Sequence, residues 1–300
     1  MATTRRTVKA HHCPYSRGFS LVHAAIPRLS RTLAALTLAA ASLAAALPAA
    51  TANAATHRRS CAPPVIAHRG DSERAPENTL PAFRSALRAG APTLETDVQF
   101  TADGVPVLMH DLSLDRTTDG AGPVSALTFA QVESLDAGAW FGPRFAGVRV
   151  PQMAALLALA HLRKVHVQLE LKVRPTPEQL AVFLQQVRGS GMAQYVVINS
   201  FLEPAVLDVR AAAPDIDTAV VDGLGFRSPD SVLRYGSTYI VNSSAVTAAR
   251  VRAWSGAGIH VRPWVVDSAK GWRRMSYDRT AAIITDAPAR YLSWARHGCR

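Results

Sequence analysis

What the sequence has little of narrows it first. Three cysteines in 300 residues are too few for a disulfide scaffold, and no Cys/His cluster has zinc-site spacing. No G-x-G-x-x-G opens the first strand-to-helix turn, so the usual mark of a dinucleotide fold is missing. Lysine is scarce: Lys9, Lys164, Lys172 and Lys270 stand among 33 basic residues. A lysine at a chemically suggestive place is therefore informative. Acidic residues are absent from positions 1–54, which carry Arg5, Arg6, Lys9, Arg17, Arg28 and Arg31. The uncharged run at 33–47 is 15 residues long, short of the ~20 that span a bilayer comfortably.

That run fits the apolar core of a signal peptide. Pro48 breaks it, and Ala52-Asn53-Ala54 has the A-x-A form of a cleavage site. The expectation is a signal peptide over 1–54 and a secreted or extracytoplasmic mature chain without stable membrane insertion. The formal net charge of +11 then divides, since losing 1–54 leaves 27 basic and 22 acidic residues, a net +5. No nucleic-acid motif or aromatic-basic stripe accompanies that modest excess, so nucleic acid is not an expected partner. At 48% hydrophobic residues, the rest has material for a packed core. In an oxidising compartment Cys61 and Cys299 form a disulfide candidate, with two unpaired thiols as the alternative.

Past Pro63, short β-rich runs alternate with helical patterns. Strands are predicted at 65–68, 93–100, 165–172, 195–200, 216–221, 239–242, 259–266 and 281–286. Helices are predicted at 80–89, 153–162, 177–188, 203–212, 244–255 and 289–296, with shorter ones near 230 and 271. Asn78-Thr79 and Thr176-Pro177 read as helix starts, Gly90 and Gly189 as stops. Eight strands alternating with about eight helices make a TIM (β/α)8 barrel over 61–298, with an open doubly wound sheet as the alternative. Residues 101–150 break the rhythm. They carry a turn, a short strand at 105–109 and Gly/Pro/aromatic-rich stretches, and read as an insertion of about 50 residues between strand 2 and helix 2. It lies on the face where barrel active sites form.

Side chains alternate along a strand, so Glu95, Asp97 and Gln99 share one face, and Gln168, Glu170 and Lys172 share another. The apolar faces meet the helices, which turns Glu95, Asp97 and Glu170 inward. Buried like charges are costly without a cation. Oxygen donors suit a hard one, Mg²⁺ or Ca²⁺. Arg69 and Lys172 at the same rim are candidate phosphate clamps, and His68 and His110 a candidate acid–base pair. A structural ion pair or an ordinary strand-end histidine would be the plain reading of any one of these. Their convergence on successive strand ends favours chemistry.

Taken in order, the motifs resemble the glycerophosphodiester phosphodiesterase family. They are His68-Arg69-Gly70, Pro76-Glu77-Asn78-Thr79, Glu95-x-Asp97, Thr101-x-Asp103-Gly104 and His110-Asp111. Then come Leu114-Asp115-Arg116-Thr117-Thr118-x-Gly120, Glu170-x-Lys172, Trp264-Val265-Val266 and Ile284-Thr285-Asp286-x-Pro288. The resemblance implies a TIM barrel with an insertion after strand 2. It implies that Glu95, Asp97 and Glu170 hold Ca²⁺ or Mg²⁺, that His68 and His110 exchange protons with substrate, and that Arg69 and Lys172 stabilise phosphoryl charge. Trp264 would line the substrate pocket. The implied partner is a small glycerophosphodiester, cleaved to sn-glycerol 3-phosphate and an alcohol. Two other readings remain: a phospholipase acting on intact lipid, and a non-catalytic binder of phosphorylated envelope polymers. The chain departs from the family at Asp267, where the family usually has Asn, and at Ala281-Ala282-Ile283. Asp267 adds negative charge near the pocket mouth and suggests a cationic headgroup.

Overall fold

Runs that are apolar on both faces make strands buried on both faces, the pattern of a parallel sheet covered by helices. In the computed structural model, which describes residues 61–299, nine runs form strands, most of them apolar on both faces and β2 and β4 alternating polar with apolar residues. They are β1 (Val65–Ala67), β2 (Thr93–Phe100), β3 (Pro106–Leu108), β4 (His166–Leu171) and β5 (Val196–Ser200). β6 (Asp217–Asp222), β7 (Thr238–Asn242), β8 (His260–Trp264) and β9 (Ile283–Thr285) follow. All but β3 are parallel to their neighbours, in the order β8-β7-β6-β5-β4-β2-β1-β9. Val266 N–H donates to Ile284 O and Ala281 N–H to Val261 O, bringing the β8 and β9 ends together. The result is a nearly closed barrel of eight parallel strands. The expected signal peptide at 1–54 lies outside the described residues.

Helices α1 (Leu80–Ala89), α2 (Phe129–Glu133), α3 (Met153–Arg163), α4 (Pro177–Gly189) and α5 (Glu203–Ala212) come from the first part of this chain. α6 (Pro229–Leu233), α7 (Ala248–Gly256), α8 (Ala269–Tyr277) and α9 (Pro288–Arg296) complete the set. Leu94, Val98, Leu169 and Ile198 face outward into one core with Phe83, Phe183, Trp254 and Trp272. Ile66, Ala219, Val221, Ile240 and Ile284 fill the barrel interior. Burying such side chains contributes roughly 1.5–3 kcal/mol each.

Three local expectations need correction. The helix expected from 244 begins at Ala248, because Asn242 caps a separate 3-10 turn at Ser243–Ala245 and Thr247 then caps α7. Thr79 precedes α1, but its hydroxyl donates to Pro76 O (2.6 Å) rather than capping the helix. β1 stops at Ala67, before His68, because Arg69 (φ 55°) and Gly70 (φ 89°) turn the chain through left-handed geometry.

Between β2 and α3 the chain leaves the barrel rhythm. β3 pairs antiparallel with β2, and Val107, Met109, Leu114, Val124, Val132, Ala137 and Val150 form a small core of their own. Gln99, expected on the same strand face as Glu95 and Asp97, donates to Met109 O (3.0 Å) and Asp111 O, and so ties the loop carrying His110 to β2. Cys61 and Cys299 are joined by a disulfide, Cα atoms 6.2 Å apart.

Candidate active site

The polar residues gather at the strand ends that form the barrel mouth. In the register of β2 with β4, Glu95 is level with Gln168 and Asp97 with Glu170. One ligand oxygen from each of Glu95, Asp97 and Glu170 lies within 4.8 Å of the others. Glu95 and Asp97 are buried and Glu170 nearly so. Three such carboxylates strain against one another. Burial pushes the Glu95 carboxyl up to about 8, with His68 opposing and Asp97 and Glu170 adding to the rise. Burial and the charge of Asp97 also raise Glu170, against the pull of Lys172. Asp97 goes the other way: Arg69, Lys172 and His110 overcome its burial and keep it below the usual carboxylate range. One of its oxygens, Oδ1, is buried with no hydrogen-bond partner. A cation at the centre would relieve all three, and the donor set is oxygen only, so the cluster could hold a hard metal ion.

Protein cations already press on these acids. Lys172 Nζ is 2.6 Å from Glu170 Oε1 and 3.5 Å from Asp97 Oδ1. Arg69 Nε is 3.1 Å from Asp97 Oδ2, its Nη1 donates to Glu77 (2.9 Å), and its backbone N–H donates to Glu95 Oε2 (2.9 Å). The two expected phosphate clamps thus stand at the acids. Both raised pKa values have the same origin, burial outweighed by Asp97 and its acidic neighbours. Asn78 (φ 57°) takes a left-handed conformation that Asn tolerates. It brackets Asp97, donating from Nδ2 to Oδ2 (2.8 Å) while its Oδ1 accepts from the Asp97 N–H (3.3 Å) and the Thr96 hydroxyl (2.7 Å).

Each expected histidine is held by a carboxylate. His68 Nδ1 is 2.6 Å from Asp286 Oδ1, and His110 Nδ1 is 2.6 Å from Asp111 Oδ1. A carboxylate accepts, so both rings carry the proton on Nδ1 and keep Nε2 for the pocket. Nε2 of His68 points toward Glu95 at 4.0 Å. Burial lowers the pKa of His68, but Glu95 and Asp286 outweigh it and the net shift is upward. His110 is shifted down by burial, with Asp97 opposing and Arg69 adding. Arg116 joins the two halves, bonding Asp111 on one side and Glu77 on the other.

Asp286 is among the residues to which motif reading assigned no role, although Thr285-Asp286 stands in the final motif. Its second bond, from the Ser72 hydroxyl (2.9 Å), depends on contacts more than 200 positions apart in the chain. Asp267 supports it from behind, with Oδ1 accepting from the Asp286 N–H (2.9 Å) and the Thr285 hydroxyl (2.7 Å). That work engages Oδ1 of the carboxylate expected to attract a cationic headgroup. Asp267 lines a cleft with Glu73, Asp286 and Arg290 that adjoins the acid pocket and shares His68 and Arg69 with it.

The acid pocket has a volume of about 220 Å³. His68, Arg69, Glu95, His110, Gln168, Glu170 and Lys172 form its polar wall; Phe201, Val221, Ile240, Trp264 and Ile284 form the apolar one. Trp264 lines this pocket, packed edge-to-face on Phe201 with ring centroids 5.5 Å apart. All seven expected acid, base and clamp residues meet in this small volume or at its edge, Asp97 lying just behind the pocket surface.

Known proteins resemble this chain over most of its described length. The model of the glycerophosphoryl diester phosphodiesterase family matches residues 68–290. A glycerophosphodiester phosphodiesterase of Caldanaerobacter subterraneus is 32% identical over 240 residues, covering 78% of this chain and 98% of its own. Among solved structures, the glycerophosphodiester phosphodiesterase of Agrobacterium tumefaciens superposes with a TM-score of 0.69 at 30% identity, covering 77% of this chain and 99% of its own. A phosphodiesterase of Oleispira antarctica, solved in complex with the product sn-glycerol-3-phosphate, gives a TM-score of 0.72 at 26% identity, covering 79% and 97%. With the barrel and its acid-lined mouth in place, these matches show that the chain belongs to the glycerophosphoryl diester phosphodiesterase family and is a phosphoric diester hydrolase.

Proposed function

We propose that the protein is an exported, divalent-metal-dependent enzyme that hydrolyses glycerophosphodiesters to sn-glycerol 3-phosphate and an alcohol. The observation that carries this reading is the cluster of Glu95, Asp97 and Glu170 within 4.8 Å, facing two carboxylate-held histidines across one pocket. Ca²⁺ or Mg²⁺ held by these oxygens would supply Lewis-acid stabilisation of charge on the phosphoryl group. The chain's own groups do the rest. Arg69 and Lys172 set positive charge against the non-bridging oxygens, where it strengthens as charge develops. His68 and His110 present Nε2 to the pocket; one takes the proton of the attacking water or neighbouring glycerol hydroxyl, and the other protonates the leaving alkoxide. Where the glycerol hydroxyl attacks, the cyclic phosphate it forms is opened by water in a second step. Trp264 and Phe201 offer an apolar wall to the uncharged glycerol portion. The product bound by the Oleispira protein supports the choice of products. Export rests on the apolar run at 33–47 and its A-x-A site, and the Cys61–Cys299 bridge suits an oxidising compartment.

A second reading, cleavage of intact lipid by the same groups, is favoured by one observation. The loops after β5 and β6 expose Phe201, Leu202, Leu224 and Phe226, the last at 75%. Both readings are tested by release of glycerol 3-phosphate from glycerophosphocholine, and of phosphorylated product from phospholipid micelles, with and without EDTA. The expected result is release from the soluble diester that EDTA abolishes and added Ca²⁺ or Mg²⁺ restores. Release indifferent to chelation would remove the metal from the scheme. Faster turnover of micelles would favour the second reading, and no release from any glycerophosphodiester would remove the substrate class.

A further inference from the structure

Beneath the acids, the barrel interior holds a cation that the scheme above does not use. Arg262 stands on β8 two residues before Trp264, and so on the same inward face but one layer deeper. Its Nη1 lies 3.2 Å from Oε1 of Gln168 on β4. These strands are not neighbours, since β7, β6 and β5 lie between them, so the contact crosses the barrel. Burial lowers the pKa of Arg262, with Asp217 opposing. A guanidinium keeps its proton even so.

That contact fixes which way the amide of Gln168 faces. A guanidinium can only donate, so the atom turned to it must be the oxygen. The NH₂ is then the other end. Among the described residues no protein group accepts from Nε2; it is also not among the sealed orphan atoms, unlike both amide atoms of Asn199. Gln168 lines the pocket. It is level with Glu95 and one layer below Glu170, just above the apolar floor of Val221, Ile240 and Ile284. The polar wall therefore ends, at its deepest point, in an oriented N–H donor.

We propose that Gln168 binds the glycerol phosphate half of the substrate by donating from Nε2 to one of its oxygens, and that Arg262 is a positioning residue that holds the amide in this sense. The inference rests on the reaction proposed above. It predicts a specificity that ignores the leaving alcohol, because the donor lies below the phosphoryl group rather than at the mouth. The accepting atom is a phosphoryl oxygen or a glycerol hydroxyl, and these give different results.

The test compares the wild type with Gln168→Met, Arg262→Met, Arg262→Lys and the double Met variant at saturating Ca²⁺ or Mg²⁺. Gln168→Met should raise KM for glycerophosphocholine and glycerophosphoethanolamine alike by about 5- to 10-fold, the loss of one neutral hydrogen bond, with kcat changed less than twofold. The inhibition constant of glycerol 3-phosphate should rise in step. If that of inorganic phosphate rises too, the acceptor is a phosphoryl oxygen; if it does not, the acceptor is a glycerol hydroxyl. Arg262→Met should raise KM in the wild type but add less than twofold to Gln168→Met, and Arg262→Lys, which keeps a donor, should stay near the wild type. Should Arg262→Met fail to fold, Gln168→Met and Arg262→Lys still decide. Unchanged KM and inhibition constants in Gln168→Met overturn the proposal, and full additivity of the two Met variants overturns the role of Arg262. If the wild type turns over no glycerophosphodiester, the reaction is wrong; glycerol 3-phosphate binding measured by calorimetry then still reads Gln168.

Discussion

Asp286 and Asp111 do the same thing to two different histidines: each accepts from Nδ1 at 2.6 Å and leaves Nε2 toward the pocket. The Asp111 partnership comes from adjacent residues and can be read from the His110-Asp111 pair. The Asp286 partnership joins the two ends of the barrel and cannot. Replacing Asp286 by Asn keeps the shape but offers a group that can also donate, so the His68 ring is free to take the other tautomer. The expected outcome for Asp286→Asn is a fall in kcat of about 10- to 100-fold with KM within about twofold, as for other misoriented bases. Steady-state kinetics on glycerophosphocholine check it. An unchanged kcat would leave His68 without a need for its partner.

At the scale of the element, the turn between β1 and α1 matters more than its length suggests. Gly70 has φ of 89°, and a Cβ there would sit 2.7 Å from the backbone carbonyl carbon and the Cβ of Ala82 in α1. The close approach is what lets Arg69 reach back, its N–H on Glu95 and its guanidinium on Asp97 and Glu77. Gly70→Ala meets both a left-handed backbone and a backbone clash, so a loss of about 2 kcal/mol or more is expected. Urea unfolding followed by circular dichroism should show the lowered midpoint; a wild-type midpoint would mean that α1 can move aside. The strands themselves were legible because β2 and β4 alternate acid with apolar residues. The excursion after β2 showed only as a break in rhythm. Its small core around Val107, Leu114 and Val132 has no strict period to announce it.

At the scale of the whole molecule, the disulfide links the segment before β1 to the segment after α9, spanning 238 positions. A cross-link over so long a loop removes much freedom from the unfolded chain. A Cys61→Ser/Cys299→Ser variant is therefore expected to lose about 2–5 kcal/mol, seen as a lower Tm in calorimetry with activity at 25 °C retained. A Tm unchanged by the double substitution or by a reductant would show that the bridge adds nothing to the fold. Parallel pairing of the last strand with the first acts at the same scale. It sets β9 beside β1, and only then does Asp286 stand against His68.

The sequence by itself determined the strand-and-helix alternation, the inward turn of Glu95, Asp97 and Glu170, and the family to which its ordered motifs belong. These follow from short-range periodicity and from residue types, which the chain carries locally. Tertiary structure alone decided the partnerships: Asp286 with His68, Arg116 between Glu77 and Asp111, Asn78 around Asp97, and Arg262 across the interior on Gln168. Side-chain alternation says which face a residue takes. Only the curled, nearly closed barrel brings residues of distant strands within hydrogen-bond distance.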